Sequence, residues 1–424
     1  MSDTLWRAVA AVVAGLICLH ACMAHAEFKG LGSKTPYYSQ TLPLEDELPP
    51  PPSCKPIQIN MVVRHGTRYP TEKVIRSISA VAKKLQDHSR VLPSWLEEWD
   101  VDVYYPLHQS GMLASTGVDE LVALGTRMRR KYASSFAPAF TKTSYTFEHT
   151  WKERTGESAS SFAFGFFGGH QPVHYEVAAK GSDAELRFFD NCPLFDVAVE
   201  QNASATLQYT LFGQGDVMAA TVRHFQSIFR LASLTAKDID AAYDACAFDV
   251  AVFGIESHWC SLFSPTLLAS MEYFKELKQY YRKSHGNFMA VAIAAPLLRD
   301  IADAMTNRTD GVTSVQGHFR FAHAETLLPL LSLVGLQRDD APLLASTPSF
   351  ERKFKSAELA PFGGNVAFVL HACDHPSEYV VEMVVNERQT STPGLGCVFC
   401  PLSHWLGHYK HWLSQWHFHE QCQV

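Results

Sequence analysis

The chain has 424 residues, 47% of them hydrophobic and 12% aromatic, which excludes global disorder and leaves room for about two or three domains. Lysine and arginine total 36 against 43 aspartates and glutamates, a formal net charge of −7. That balance argues against a nucleic-acid coat or a polybasic membrane binder. It leaves open an anionic small substrate, because a local arginine cluster can oppose the global field.

The first residues bear on the compartment. Arg7 precedes the apolar run from Ala8 to Leu19, and Ala24-His25-Ala26 fits the small-x-small cleavage rule, so residues 1–26 read as a secretory signal peptide cut after Ala26. The run is shorter than the roughly 20 residues of a membrane helix and His20 interrupts it. No later stretch is apolar enough to span a bilayer, so no membrane span is expected after cleavage. Removing Asp3 and Arg7 leaves the net charge unchanged. Beyond Cys18 and Cys22 there are eight cysteines: Cys54, Cys192, Cys246, Cys260, Cys373, Cys397, Cys400 and Cys422. An even number in an oxidising compartment suggests disulfides, and the roughly 105 connectivities open to eight cysteines leave the pairing unassigned. Asn202-Ala203-Ser204 and Asn307-Arg308-Thr309 are N-glycosylation acceptors. The last residues, 420–424, carry neither an ER-retention tetrapeptide nor a GPI-type tail. Secretion is the expected fate, with a lysosomal or other secretory-pathway lumen as the alternative.

Residues 27–56, with Pro49-Pro50-Pro51-Pro52, read as an extended arm. The apolar, β-rich run 57–63 reads as a buried strand that ends at Arg64-His65-Gly66. Thr71 opens a helix to about residue 85. Strands are expected at 145–149 and, more weakly, at 174–177, with a helix from 152 between them. From 190 to 309 strand signals give way to helical periodicity at 194–199, 216–230, 236–247 and 265–283, an inserted α-helical subdomain. Strands return at 317–322, 365–370 and 379–387, with an apolar helix at 326–334. Alternating strands and helices predict an α/β fold with a largely parallel central sheet and flanking helices over 57–189 and 310–424. Arg64-His65, Arg154 and His323-Ala324-Glu325 each follow a strand, where open α/β sheets bind ligands.

Arg64-His65-Gly66-Thr67-Arg68-Tyr69-Pro70 packs two guanidinium groups around one imidazole. Arginine binds phosphate oxygens in a fork. Histidine can form a covalent intermediate, and the arginines would both stabilise a transferring phosphoryl group and depress the His65 pKa by like-charge repulsion. Gly66 is expected to let the backbone approach a ligand closely.

This string resembles the RHGxRxP signature of the histidine acid phosphatases, the phytase and acid-phosphatase branch of the histidine phosphatase superfamily. Arg154, with Ser158 and Phe162 downstream, looks like the family's third phosphate-binding arginine. Where most members carry His-Asp, this chain has His323-Ala324-Glu325, a variant similar to the multiple inositol polyphosphate phosphatases. Ser257-His258-Trp259-Cys260 and the stretch 274–281 resemble that subfamily's helical insert, and the similarity spans about residues 54–422. The resemblance implies the histidine phosphatase fold, with His65 as nucleophile, Arg64, Arg68, Arg154 and His323 holding phosphate oxygens, and Glu325 protonating the leaving alcohol and then activating water. It implies hydrolysis of inositol polyphosphates, including the hexakisphosphate, with activity on 2,3-bisphosphoglycerate as well, and neither cofactor nor metal. Lys73 is read as a contact to a further phosphate or as a solvated helix residue. The resemblance also implies disulfides Cys54–Cys373, Cys192–Cys422, Cys246–Cys260 and Cys397–Cys400.

Rival readings are fewer in support. Cys397 and Cys400 with His404 and His408 could form a zinc cluster, but the spacing misses the usual fingers, and His404, His408 and His411 are expected along one face of a closing helix. Gly213-x-Gly215 lacks the third glycine and preceding strand of a dinucleotide site. The alternatives to an inositol polyphosphate phosphatase are a broad-specificity histidine acid phosphatase, a non-catalytic binder of phosphorylated ligands, and a phosphate-shuttling mutase. The expected partner is a small phosphorylated substrate and not nucleic acid; the sequence leaves oligomeric state open.

Overall fold

The computed structural model describes residues 30–37, 47–132, 134–374 and 378–424. The expected leader, with Cys18 and Cys22, lies outside the described residues. The strands are β1 (Lys55–Arg64), β2 (Tyr145–His149), β3 (Tyr175–Glu176), β4 (Gly317–Ala322), β5 (Asn365–Ala372), β6 (Tyr379–Val385), β7 (Arg388–Thr390) and β8 (Phe399–Pro401). The helices that matter to the site are α1 (Glu72–His88), α2 (Ser115–Tyr132), α3 (Glu153–Phe167), α4 (Asp216–Phe229), α5 (Ala236–Phe248), α6 (Pro265–Lys283), α7 (Ala295–Thr309) and α8 (Ala324–Leu333).

The strands form one sheet in the order β3-β2-β4-β1-β5-β6-β7, with β8 on β6. The β3-β2-β4-β1 part is parallel, and β5 to β8 extend it with antiparallel pairings. Arg64 pairs with Ala322 and His149 with Phe321. Three neighbouring parallel strands therefore end at one level, and the chain leaves the sheet side by side after each.

Alternation along β1 explains the layers. Ile59, Met61 and Val63 enter one apolar cluster with Phe147, Phe319 and Phe321 from β2 and β4, Leu121 and Leu124 from α2, and Phe162 and Phe166 from α3. Val62 enters the opposite cluster with Val366 and Phe368 of β5, Leu297 of α7 and Leu327 of α8. That cluster continues without a break through Ile78 of α1, Phe225 of α4, Tyr243 of α5 and Leu277 of α6. The helical segment 190–309 thus shares its core with the sheet.

Several elements differ from expectation. Residues 30–37, inside the segment read as an extended arm, are packed: Gly32–Lys34 form a 3-10 turn and Leu31, Thr35 and Tyr37 are buried. Their anchors are distant in sequence. Tyr37 donates its N–H to Glu120 and its hydroxyl to Glu387. The strand expected at 379–387 stops at Val385, because Asn386 and Glu387 both take positive φ, 48° and 66°, and make the two-residue turn into β7. The stretch at 194–199 is one helical turn, Pro193–Phe195, followed by a wide π-type turn, Asp196–Glu200. The closing helix breaks at Tyr409 into Leu402–His408 and Lys410–Ser414, so His404, His408 and His411 do not share one helix.

Four disulfides join Cys54 to Cys373, Cys192 to Cys422, Cys246 to Cys260 and Cys397 to Cys400. The last takes both thiols that a zinc cluster would need. Asn202 and Asn307 are exposed. No helix among the described residues is long and apolar enough to cross a membrane.

Candidate active site

His65 is the first residue beyond β1. Its N–H donates to the Ala322 carbonyl at 3.0 Å, continuing the ladder to β4. Its side chain is 3% exposed, and Nδ1 lies 2.9 Å from the Gly66 carbonyl oxygen. A carbonyl only accepts, so Nδ1 carries the ring proton and Nε2 is left with its lone pair. Burial, then the charges of Arg154, Arg64, His323 and Arg68, hold the imidazole well below its ordinary value of 6.5. The ring is therefore neutral in mild acid, the state a nucleophile requires. Hydrolysis of p-nitrophenyl phosphate is accordingly expected to show no loss centred near pH 6.5 as the solution is acidified; a pH–rate profile of kcat checks this.

The loop after His65 packs closely against a helix. A Cβ on Gly66 would lie 2.4 Å from the Gly117 carbonyl oxygen, and one on Gly117 would lie 2.1 Å from that of Thr67. The missing side chain of Gly66 admits the first turn of α2. Buried Glu120 on that helix accepts from the Thr67 N–H at 2.7 Å and hydroxyl at 2.8 Å, and Ser158 of α3 accepts from the Gly66 N–H at 3.2 Å. The loop is held on both sides before any ligand arrives.

Three guanidinium groups surround His65. Arg64 is buried, stacks over Phe362 with its Cζ 4.3 Å from the ring centroid, and donates to the Ser33 and Ala360 carbonyls. Burial and the neighbouring Arg68 lower its pKa to about 9, which leaves it a cation at neutral and acid pH. Arg68 donates to the Tyr69 carbonyl at 2.8 Å. Arg154 stands in the first turn of α3, and burial beside Arg68 lowers it to about 10. The Nε atoms of Arg64, Arg68 and Arg154 are buried with no hydrogen-bond partner among the described residues. Convergent unsatisfied donors of one sign are a site for an anion.

His323 caps α8, and its ring centroid is 5.5 Å from that of His65. Arg187 Nη1 donates to Nε2 at 2.7 Å, and the Thr150 hydroxyl lies 2.9 Å from the same nitrogen. Arginine only donates, so Nε2 accepts from Arg187, while Nδ1 lies 3.4 Å from Arg154 Nη2. Burial, then Arg154, keep His323 neutral, well below its ordinary value. Glu325 lies on the first turn of α8, which begins at Ala324 and not at Thr326 as expected. Its Oε1 accepts from Lys283 Nζ, the last residue of α6, at 2.8 Å.

The sequence signals thus come together as follows. Arg64, Arg68, Arg154 and His323 act on His65, and Glu325 acts on Arg64, Arg68, Arg154 and His323, so the six fall in one charged neighbourhood. Lys73 is exposed and lines a groove between α1 and α5 with Glu72, Arg76 and Lys237, a groove that includes none of those six. Sequence reasoning missed Thr150, Arg187, Lys283 and a basic rim on Trp151. Lys152 Nζ lies 3.9 Å from the Trp151 ring centroid, Lys180 Nζ 5.2 Å and Arg187 Cζ 5.4 Å. Arg187 is paired with Asp190. The pKa of Lys152 is lowered by burial and by Arg154, Arg187 and Lys180, so positive charge is concentrated here. The only hint in sequence was Arg187 beside Phe188-Phe189; nothing marked it as facing residue 323.

A family model described as histidine phosphatase superfamily (branch 2) matches residues 57–386. Multiple inositol polyphosphate phosphatase 1 of Gallus gallus is 28% identical over 396 residues, covering 88% of this chain and 86% of the relative. The Homo sapiens protein of that name is 29% identical over 408 residues, covering 88% and 82%. The crystal structure of the phytase from D. castellii matches with a TM-score of 0.77 at 19% identity, over 93% of this chain and 87% of that one. The Bifidobacterium longum multiple inositol polyphosphate phosphatase in complex with inositol hexasulfate matches with a TM-score of 0.75 at 16% identity, over 91% and 97%. At these identities the two solved structures speak for the fold.

Proposed function

The chain belongs to branch 2 of the histidine phosphatase superfamily and is a phosphatase, and on that premise we propose that it hydrolyses inositol polyphosphates, the hexakisphosphate among them, through a phosphohistidine on His65. The observation that carries this reading is the continuity of positive charge. The cluster of Arg64, Arg68 and Arg154 adjoins Arg187, which is paired with Asp190, and the Lys152–Lys180 rim, enough positive charge for more than one phosphate.

In this reading His65 Nε2 attacks phosphorus in line with the leaving oxygen. Arg64, Arg68, Arg154 and His323 hold the equatorial oxygens. Glu325 protonates the departing alkoxide, then takes a proton from the water that releases inorganic phosphate. Arg187 and Thr150 position His323. The subfamily resemblance extends the proposal to 2,3-bisphosphoglycerate. The leader-like N-terminus and the four disulfides support a secreted protein, a lumenal one being the alternative, and the exposed Asn202 and Asn307 are proposed glycan sites.

Phosphate release from inositol hexakisphosphate, set against glycerol 2-phosphate and p-nitrophenyl phosphate in the presence of EDTA, tests the reading. A steep preference for the polyphosphate is expected. Equal turnover of all three would favour a broad-specificity acid phosphatase, and binding without release a non-catalytic ligand protein. The double variant Lys152→Ala/Lys180→Ala is expected to raise KM for inositol hexakisphosphate about tenfold and to flatten its salt dependence, since two cations at a rim are worth about 1 kcal/mol or more together. Steady-state kinetics at two ionic strengths measures both effects.

A further inference from the structure

Glu325 does not stand ready as an acid in this structure. Desolvation alone would raise its pKa, yet the Lys283 ammonium 2.8 Å away holds this half-exposed carboxyl well below its ordinary value. A carboxylate has no proton for a leaving alkoxide. The charges that face it come from several elements. Arg64 and Arg68 at the end of β1 and Arg154 on α3 feel its charge, but they surround the phosphoryl position and act alike on every substrate. His323, on its own helix cap, is neutral and bound by Arg187. Arg282 of α6 is committed to Glu200. Lys283 differs: its salt-bridge partner among the described residues is Glu325 itself, its side chain is only 19% exposed, and it stands at the end of a helix from the inserted segment.

We propose that Lys283 withholds Glu325 from acid catalysis until a second phosphate group of the substrate takes over its ammonium. The inference rests on the reading of Glu325 as the general acid. When the ammonium turns to that phosphate, the carboxylate is left uncompensated beside a polyanion and takes a proton from solvent on Oε1. As the Nε2–P bond forms and the P–O bond to the ring carbon's oxygen breaks, that proton moves to the leaving oxygen. The regenerated carboxylate then accepts a proton from water, whose oxygen bonds phosphorus, freeing inorganic phosphate and the neutral imidazole. A monophosphate has no second group to draw Lys283 away, so its poor leaving alcohol departs without help. Selection for polyphosphates is then exerted in the chemical step as well as in binding.

The test compares inositol hexakisphosphate with glycerol 2-phosphate across acid and neutral pH for the full chain, its Lys283→Met, Lys283→Arg and Glu325→Gln variants. Lys283→Met keeps the apolar stem and removes the charge. It is expected to raise kcat on glycerol 2-phosphate about tenfold for each pK unit that Glu325 recovers, and to move the alkaline limb of that profile upward. On inositol hexakisphosphate the same variant is expected to lower kcat/KM, and Lys283→Arg to restore the wild-type pattern on both. A fall, or no change, on both substrates in Lys283→Met overturns the inference, because a residue that only binds or supports cannot act in opposite directions. If Glu325→Gln leaves inositol hexakisphosphate turnover unchanged, the general-acid reading itself fails, a result separable from the first.

Discussion

His65→Ala is expected to lose phosphate release from inositol hexakisphosphate by about 10⁴-fold or more, the scale seen when a covalent nucleophile is removed. The prediction follows from how the ring is held. Gly66 fixes Nδ1 as the donor, burial and the surrounding guanidinium groups keep the ring neutral, and no other described imidazole shares that position except His323, whose Nε2 is taken by Arg187. The truncation leaves Arg64, Arg68 and Arg154 in place, so substrate binding should survive. Wild type stopped with denaturant during turnover should carry one acid-labile phosphate on the protein, and the variant none. Turnover by His65→Ala within tenfold of wild type would remove the phosphohistidine from the mechanism.

Glu325→Gln is expected to lower kcat on inositol hexakisphosphate by about 10²- to 10⁴-fold, the range for loss of a positioned general acid. The effect should depend on the leaving group. An alcohol needs a proton to depart, whereas p-nitrophenolate leaves as a stable anion. Formation of the phosphoenzyme from p-nitrophenyl phosphate should therefore continue, while its hydrolysis slows for want of a base. A burst of p-nitrophenol followed by slow turnover is the expected trace, read by rapid mixing. A uniform fall on both substrates with no burst would assign Glu325 to binding.

The central residues were legible because the chemistry is local in the chain. Arg64 to Pro70 is a contiguous string after a strand, and His323-Ala324-Glu325 follows the strand that pairs with it in parallel. Two strands ending in charged residues can be read without knowing their angle or distance. Thr150 was hidden because a threonine between a strand and a helix has many uses. Arg187 was hidden because its partner is 136 residues away. Lys283 ends a helix where a cation is favoured by the dipole whether or not it faces a site. Gly66 carries a contact of the same hidden kind: only the fold shows that its missing side chain admits the backbone of α2.

What the sequence determined by itself is the kind of chemistry: a histidine among arginines with a carboxyl downstream, a leader-like N-terminus, eight cysteines beyond it, and strands alternating with helices around a long helical segment. Period and composition are properties of nearest neighbours along the chain, and so they survive without coordinates. The tertiary structure decided which side chains meet. Parallel pairing in the register Arg64–Ala322 and His149–Phe321 sets three strand ends level. One core shared by the sheet and α6 carries Lys283 to Glu325. Those contacts set tautomers and ionisation, since charge and burial act through a few ångströms of space and take no account of separation along the chain.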